Sequence, residues 1–169
     1  MEIYELSNFV ELHTCDLIHD WLASHKNFEP INKGCSGFDN RTIPFNKINN
    51  VEIKRLVNVF RFNITLEARK LFSELLYPDY TDLVYWPDGE AMNVHADSCW
   101  LDGLPNYCAH RYSAAVTYLN DNYKGGETYF PKFNYRVKPQ KGKVVLFLAD
   151  LDHQHGVTSI TGNRYTMPI

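Results

Sequence analysis

Asn93-Val94-His95-Ala96-Asp97 lies midway along the chain, and His153-Gln154-His155 answers it, with His155 sixty positions after His95. In a β-strand alternate side chains share a face, so His95 and Asp97 present an imidazole and a carboxylate to one side. A third nitrogen from the distant histidine pair completes a set of three ligands on one side of a metal, with the remaining positions left open. His153 and His155 share a face if that stretch is extended, so parity does not choose between them. The spacing of nine residues from His155 to Arg164, with Gly156-Val157 between, favours His155 and leaves His153 as a neighbouring or surface group.

Arg164 closes the run His155-Gly-Val-Thr-Ser-Ile-Thr-Gly-Asn-Arg164-Tyr165. A guanidinium there can clamp a carboxylate with two parallel hydrogen bonds. Metal ligands beside a carboxylate clamp describe a site for a chelating keto-acid. One geometric condition follows. A strict two-residue hairpin at Gly162-Asn163 would leave Arg164 on the order of 20 Å along the strand from His155, too far to share a small ligand. A wider loop or a bulge between Val157 and Arg164 is therefore expected.

With 169 residues the chain suits one domain, read as residues 1–169 with helical support over 1–78 and a catalytic core over 79–169. Hydrophobic residues at 44% and charged residues at 22% are those of an ordinary globular protein. A formal charge of -3 offers no basic field, so neither nucleic acid nor an anionic membrane is expected as a partner. Aromatic content of 14%, including eleven tyrosines, suits a β-sheet protein with a lined cavity. Cys15, Cys35, Cys99 and Cys108 form no CxxC pair, and Cys99 and Cys108 are read as free thiols. No secretory pattern opens the sequence, which reads as a cytoplasmic protein, of a host cell if the source is viral.

Along the chain, Glu2 to Leu6 reads as a short strand. Thr14 is the expected N-cap of a helix over 14–25, with Leu17, Ile18, Trp21 and Leu22 at helical spacing. Asn27 to Asn50 reads mostly as loop. A helical period runs from Val51 to Phe60, and Asn63 or Thr65 is expected to cap a second helix that ends near Pro78. Beyond Pro78 come short β-rich runs: Thr81 to Trp86, Ala91 to Asp97, Tyr112 to Asn120, Glu127 to Phe130, Tyr135 to Lys138, Val144 to Leu148, Gly156 to Ile160 and Arg164 to Met167. These predict an α+β protein: a double-stranded β-helix, or jelly roll, with the N-terminal helices packed on one sheet.

From residue 80 to 169 the sequence resembles the Fe(II)- and 2-oxoglutarate-dependent dioxygenases, in particular the prolyl 4-hydroxylase group. The residues that carry the likeness are Tyr85 ten before His95, the His95-Ala-Asp97 triplet, Arg111 leading into Val116-Thr-Tyr-Leu-Asn120, and Gly125-Gly-Glu-Thr128. They continue through Pro139-Gln-Lys-Gly-Lys-Val-Val-Leu-Phe147 and end with His155-Gly-Val and Gly162-Asn-Arg-Tyr165. The resemblance implies that His95, Asp97 and His155 bind Fe(II) and that Arg164 binds the distal carboxylate of 2-oxoglutarate. It implies that Tyr85 and Tyr118 offer phenols to the same carboxylate, and that Arg111 faces a proline-containing peptide or protein substrate. The implied reaction converts 2-oxoglutarate to succinate and CO2 while a C–H bond is hydroxylated, with ascorbate keeping the iron reduced. Met92 departs from the family, standing where several relatives carry a tyrosine. Related halogenases have a small residue in place of the carboxylate ligand, so Asp97 favours hydroxylation.

Blander readings stand beside these. Tyr85 and Tyr118 read equally as core tyrosines, Arg111 as a solvated strand-end charge, and Gly125-Gly126 as a turn needing positive φ. Trp86, Trp100 and Tyr107 line a substrate groove or pack as a satellite cluster. The same scaffold could act on a free amino acid or a nucleobase, or be a non-enzymatic jelly-roll module whose histidines hold a metal. Turnover of 2-oxoglutarate stimulated by proline-rich peptides but not by free proline separates these readings.

Overall fold

The computed structural model describes residues 2–25 and 41–169. Most of the expected loop between Asn27 and Asn50 lies outside the described residues, as does Cys35. Two helices open the fold, α1 (Leu12–Ser24) and α2 (Val51–Phe72). The strands are β1 (Ile3–Leu6), β2 (Thr42–Pro44), β3 (Asp82–Trp86), β4 (Met92–His95), β5 (Ser113–Tyr118), β6 (Lys124–Gly125) and β7 (Thr128–Phe130). They continue with β8 (Tyr135–Val137), β9 (Val144–Leu148), β10 (His155–Val157), β11 (Ile160–Thr161) and β12 (Arg164–Pro168).

Six strands form the larger sheet in the order β1-β9-β5-β12-β3-β2, and four form the smaller one in the order β4-β10-β7-β8. A short β11-β6 pair bridges the run between them. The resulting two-sheet jelly roll carries its helices on the outer face of the larger sheet. The N-terminal part is more than helical support, because β1 and β2 supply both edges of that sheet.

Strand alternation decides which residues meet. On β9, Val144 and Leu146 pack with α1 and α2 through Cys15, Ile18, Leu22, Val57, Ile64 and Ala68, while Val145 and Phe147 turn to the space between the sheets. On β12, Tyr165 and Met167 face the helices, so Arg164 and Thr166 face inward. On β3, Leu83 and Tyr85 lie on the helix side, while Val84 and Trp86 pack inward against Val157 and Ile160.

The helices depart from the sequence expectation in two respects. α1 begins at Leu12 without a side-chain cap, and Thr14 is buried inside the helix rather than at its start. The two expected later helices are one continuous α2, capped by the Asn50 side chain accepting from the Ile53 amide at 3.1 Å. No Gly or Pro interrupts 51–72, and the buried stripe Ile53, Val57, Ile64, Ala68 and Phe72 continues past the expected break. Thr65 Oγ1 donates back to the Arg61 carbonyl, the bond a threonine makes inside a helix rather than at its cap. Among the described residues Cys15 and Cys99 are free thiols, and no helix is long and apolar enough to cross a membrane.

Candidate active site

β4 and β10 pair antiparallel with His155 directly opposite His95. β4 ends at His95, so Asp97 lies just past the strand rather than on it, yet its carboxylate oxygen is 3.5 Å from His95 Nε2. One ligand atom from each of His95, Asp97 and His155 lies within 4.8 Å of the others. His95 Nδ1 sits 3.0 Å from the Asn93 carbonyl and His155 Nδ1 3.1 Å from the His153 carbonyl. A carbonyl only accepts, so each Nδ1 carries a proton and each Nε2 is the nitrogen left for a metal.

The electrostatics suit that role. Burial pushes the His155 imidazole down to about 4, which keeps it neutral and able to donate a lone pair. Burial works against ionised Asp97, but His155, His95 and Arg111 together hold its carboxyl down to about 2. For His95 burial is likewise outweighed, and the adjacent Asp97 raises its pKa. His153 is drawn elsewhere: its Nδ1 lies 2.7 Å from Asp150 in a short 3-10 turn.

Arg164 lines the same cavity, which has a volume of about 630 Å³ and also takes in His95, Asp97, His155, Trp86, Thr128 and Phe147. The residue is 1% exposed, and its Nε and Nη1 have no hydrogen-bond partner among the described residues. Its guanidinium lies 4.6 Å from the Trp86 ring centre and 5.4 Å from that of Tyr118. Ring faces offset part of the desolvation of a buried cation, but its unmade hydrogen bonds still call for an anion. The expected hairpin problem is resolved by a change of sheet. β10 belongs to the smaller sheet and β12 to the larger, and the chain crosses between them through β11 and Gly162 at φ +105°. Arg164 thus stands across the cavity from His155 rather than farther along one strand.

Of the remaining sequence-predicted residues, Tyr118 is brought to Arg164 and Tyr85 is not. Tyr118 is fully buried on β5, with its hydroxyl 2.7 Å from Thr128 Oγ1. Tyr85 pairs in register with Tyr165, stacks on its ring at 5.2 Å and donates to Asn163 Oδ1 at 3.0 Å, all on the helix side of the sheet. The cavity position belongs to its neighbour Trp86, in register with Arg164 and fixed by its Nε1 donating to Thr166 Oγ1 at 3.0 Å. Arg111 lines the cavity, with Nε 3.7 Å from Asp79 and its guanidinium over the Tyr80 ring. Trp100 and Tyr107 both contact each other edge-on and line the cavity mouth. Tyr123 was not singled out by sequence. Its buried hydroxyl makes no well-aligned hydrogen bond among the described residues, and burial pushes the phenol up while the adjacent Arg164 guanidinium, by its charge and as a donor, pulls it down.

The sequence model of the 2OG-Fe(II) oxygenase superfamily matches residues 81–169, the stretch that supplies His95, Asp97, His155 and Arg164. The chain belongs to this superfamily. Among curated proteins it is similar to human prolyl 3-hydroxylase 3, at 34% identity over 83 residues, covering 42% of this chain and 11% of that one. It is also similar to human prolyl 3-hydroxylase 1, at 28% identity over 128 residues, covering 59% of this chain and 17% of that one. The chain therefore spans only 11% to 17% of the length of these two relatives. In fold it is similar to a prolyl-4-hydroxylase from Pseudomonas putida (TM-score 0.74, 15% identity, 99% of this chain and 90% of that one). A viral collagen prolyl hydroxylase from Paramecium Bursaria Chlorella virus-1 in its 2OG complex is likewise similar (TM-score 0.68, 16% identity, 99% and 93%).

The residues fit the two ligands that the superfamily's description names. Two imidazole nitrogens and one carboxylate are a donor set for Fe(II) with positions left open. The buried, unpaired Arg164 guanidinium is the complement of a carboxylate. Gly126 leaves room for it: at φ +64°, a Cβ here would come within 3.0 Å of Arg164 Cδ and 2.8 Å of the Tyr123 ring.

Proposed function

We propose that this superfamily member hydroxylates proline within a peptide or protein, consuming 2-oxoglutarate and dioxygen and releasing succinate and CO2. The observation that carries the reading is Arg164, fully buried and unpaired in the cavity that also gathers His95, Asp97 and His155. His95, Asp97 and His155 would hold Fe(II), which with 2-oxoglutarate supplies the oxidation of a C–H bond by dioxygen, with ascorbate keeping the metal reduced. Arg164 receives the distal carboxylate through its free Nε and Nη1, and the phenols of Tyr118 and Tyr123 border that carboxylate. Neutral His155 and ionised Asp97 need lose no proton to act as ligands. Trp86, Val157 and Phe147 form an apolar wall that excludes water from the reacting atoms. The mouth, with Arg111 and the exposed rings of Tyr80, Trp100 and Tyr107, is where an extended peptide would lie. The kinship with proteins named prolyl 3-hydroxylases and the fold shared with proteins named prolyl hydroxylases support proline as the target.

The test is succinate release by the Fe(II)-loaded protein with 2-oxoglutarate, ascorbate and either a proline-rich peptide or free proline. Peptide-stimulated release, with the peptide gaining the mass of one oxygen atom, is expected. Chromatography of the hydrolysed product then assigns the oxygen to C3 or C4 of proline. Stimulation by free proline alone would overturn the peptide assignment.

A further inference from the structure

At the end of the cavity near the mouth, Asp82 starts β3 on the inward face shared with Val84 and Trp86. It is 7% exposed, and its buried Oδ1 has no hydrogen-bond partner among the described residues. Nor does it form an ion pair there. The nearby guanidinium of Arg111 is turned to Asp79, at 3.7 Å, and lies over the Tyr80 ring at 5.3 Å. A carboxylate desolvated without a partner costs several kcal/mol in principle, and proteins rarely keep one in a cavity wall for packing alone. The rest of the mouth suits the cation that such a carboxylate would take. Trp100 and Tyr107 are about half exposed or more, and ring faces attract cations, while the Tyr80 ring is already covered by Arg111.

We propose that Asp82 is a specificity-determining residue that receives the positively charged side chain of a lysine or arginine flanking the target residue in the peptide substrate. The proposal rests on the reading of this cavity as a peptide oxygenase site. The entering ammonium or guanidinium satisfies the unpaired carboxylate, and the tyrosine and tryptophan rings at the mouth hold its aliphatic stem and charge. Arg111, held by Asp79 and lining the same cavity, disfavours a second basic residue beside it.

The test uses one proline peptide in three forms, with lysine, norleucine or glutamate beside the proline, each with its N-terminus acetylated. Binding to the manganese-loaded protein is measured by calorimetry, and peptide-stimulated succinate release by the iron-loaded protein. The lysine peptide is expected to bind at least tenfold tighter than the norleucine peptide, the difference appearing in KM rather than kcat. Asp82→Asn removes that preference and Asp82→Lys transfers it to the glutamate peptide. A non-acetylated norleucine peptide that matched the lysine one would show recognition of a terminal amine and overturn the side-chain assignment. Equal binding and turnover of the three acetylated peptides by the parent protein overturns the proposal and leaves the hydroxylase reading standing. Absence of any peptide-stimulated succinate release overturns both. The peptide series on the unaltered protein decides even if an Asp82 variant fails to fold.

Discussion

His95 and His155 are direct cross-strand partners on β4 and β10, with ring centroids 4.5 Å apart and each Nδ1 tied to a backbone carbonyl two residues earlier in the chain. The ladder fixes the two backbones and the carbonyls fix the two rings, so the nitrogens converge before any metal arrives. Pre-arranged ligands of this kind lose little freedom on binding.

Asp97 is the third member and the only anionic one. Asp97→Ala should lower Mn(II) or Co(II) affinity by two orders of magnitude or more in calorimetry and abolish 2-oxoglutarate turnover. A variant that kept full turnover would exclude Asp97 as a ligand. His153→Ala, whose ring is held by Asp150 rather than by the cavity, should leave metal affinity within a few-fold of the parent.

Arg164 predicts opposite effects on stability and on ligand binding. Replacing a buried, uncompensated charge by an apolar side chain of similar length relieves its desolvation, by roughly 1–4 kcal/mol in known buried ion clusters. Arg164→Met should therefore unfold at a higher temperature than the parent without ligand. The parent should gain about 2.7 kcal/mol from 2-oxoglutarate at a hundred times its dissociation constant, and the variant nothing. Thermal unfolding of metal-loaded samples with and without 2-oxoglutarate measures both.

Tyr123 and Tyr85 should separate in the same assay. Tyr123→Phe removes the buried hydroxyl that faces the Arg164 charge and should raise the KM for 2-oxoglutarate several-fold. Tyr85→Phe removes a hydrogen bond to Asn163 on the far side of the sheet, costing about 1 kcal/mol of stability with KM unchanged. A KM effect confined to Tyr85→Phe would reverse the assignment.

The contrast between those tyrosines shows what the sequence could reveal. The candidate site was legible because His95, Asp97, His155 and Arg164 are residue types that suit such chemistry wherever the strands run. Facing was not legible where it depended on register between strands far apart in the chain. Tyr85 and Trp86 are adjacent in sequence, and only the pairing of β3 with β12 puts Trp86 beside Arg164 and Tyr85 beside Tyr165. Tyr123 carried no periodic signal, since it lies in the connection before β6. The jelly roll was readable from the turn-punctuated β-rich runs. The continuity of α2 was missed because Asn63 and Thr65 resemble caps until the burial of Ile64 shows that the stripe runs through them.

Asp82 gives a pH dependence whose sign is opposite to the usual carboxylate. Burial raises its pKa from 3.8 to about 6, with the Arg111 charge pulling the other way. The folded chain therefore binds more protons at this residue than the unfolded chain between those values. Its contribution is intact below about pH 4 and is lost as pH rises through 6, amounting to roughly 2–3 kcal/mol at about 1.4 kcal/mol per unit. Asp97 and Glu5, whose pKa values are lowered, slope the opposite way, so the effect is to be read as a difference between proteins. Asp82→Asn should match the parent in denaturant unfolding near pH 4 and exceed it in stability increasingly up to pH 7. Adding the lysine peptide at pH 7 should narrow that gap by stabilising the parent more than the variant, whereas a constant gap across pH would mean that Asp82 keeps an ordinary pKa in the folded chain.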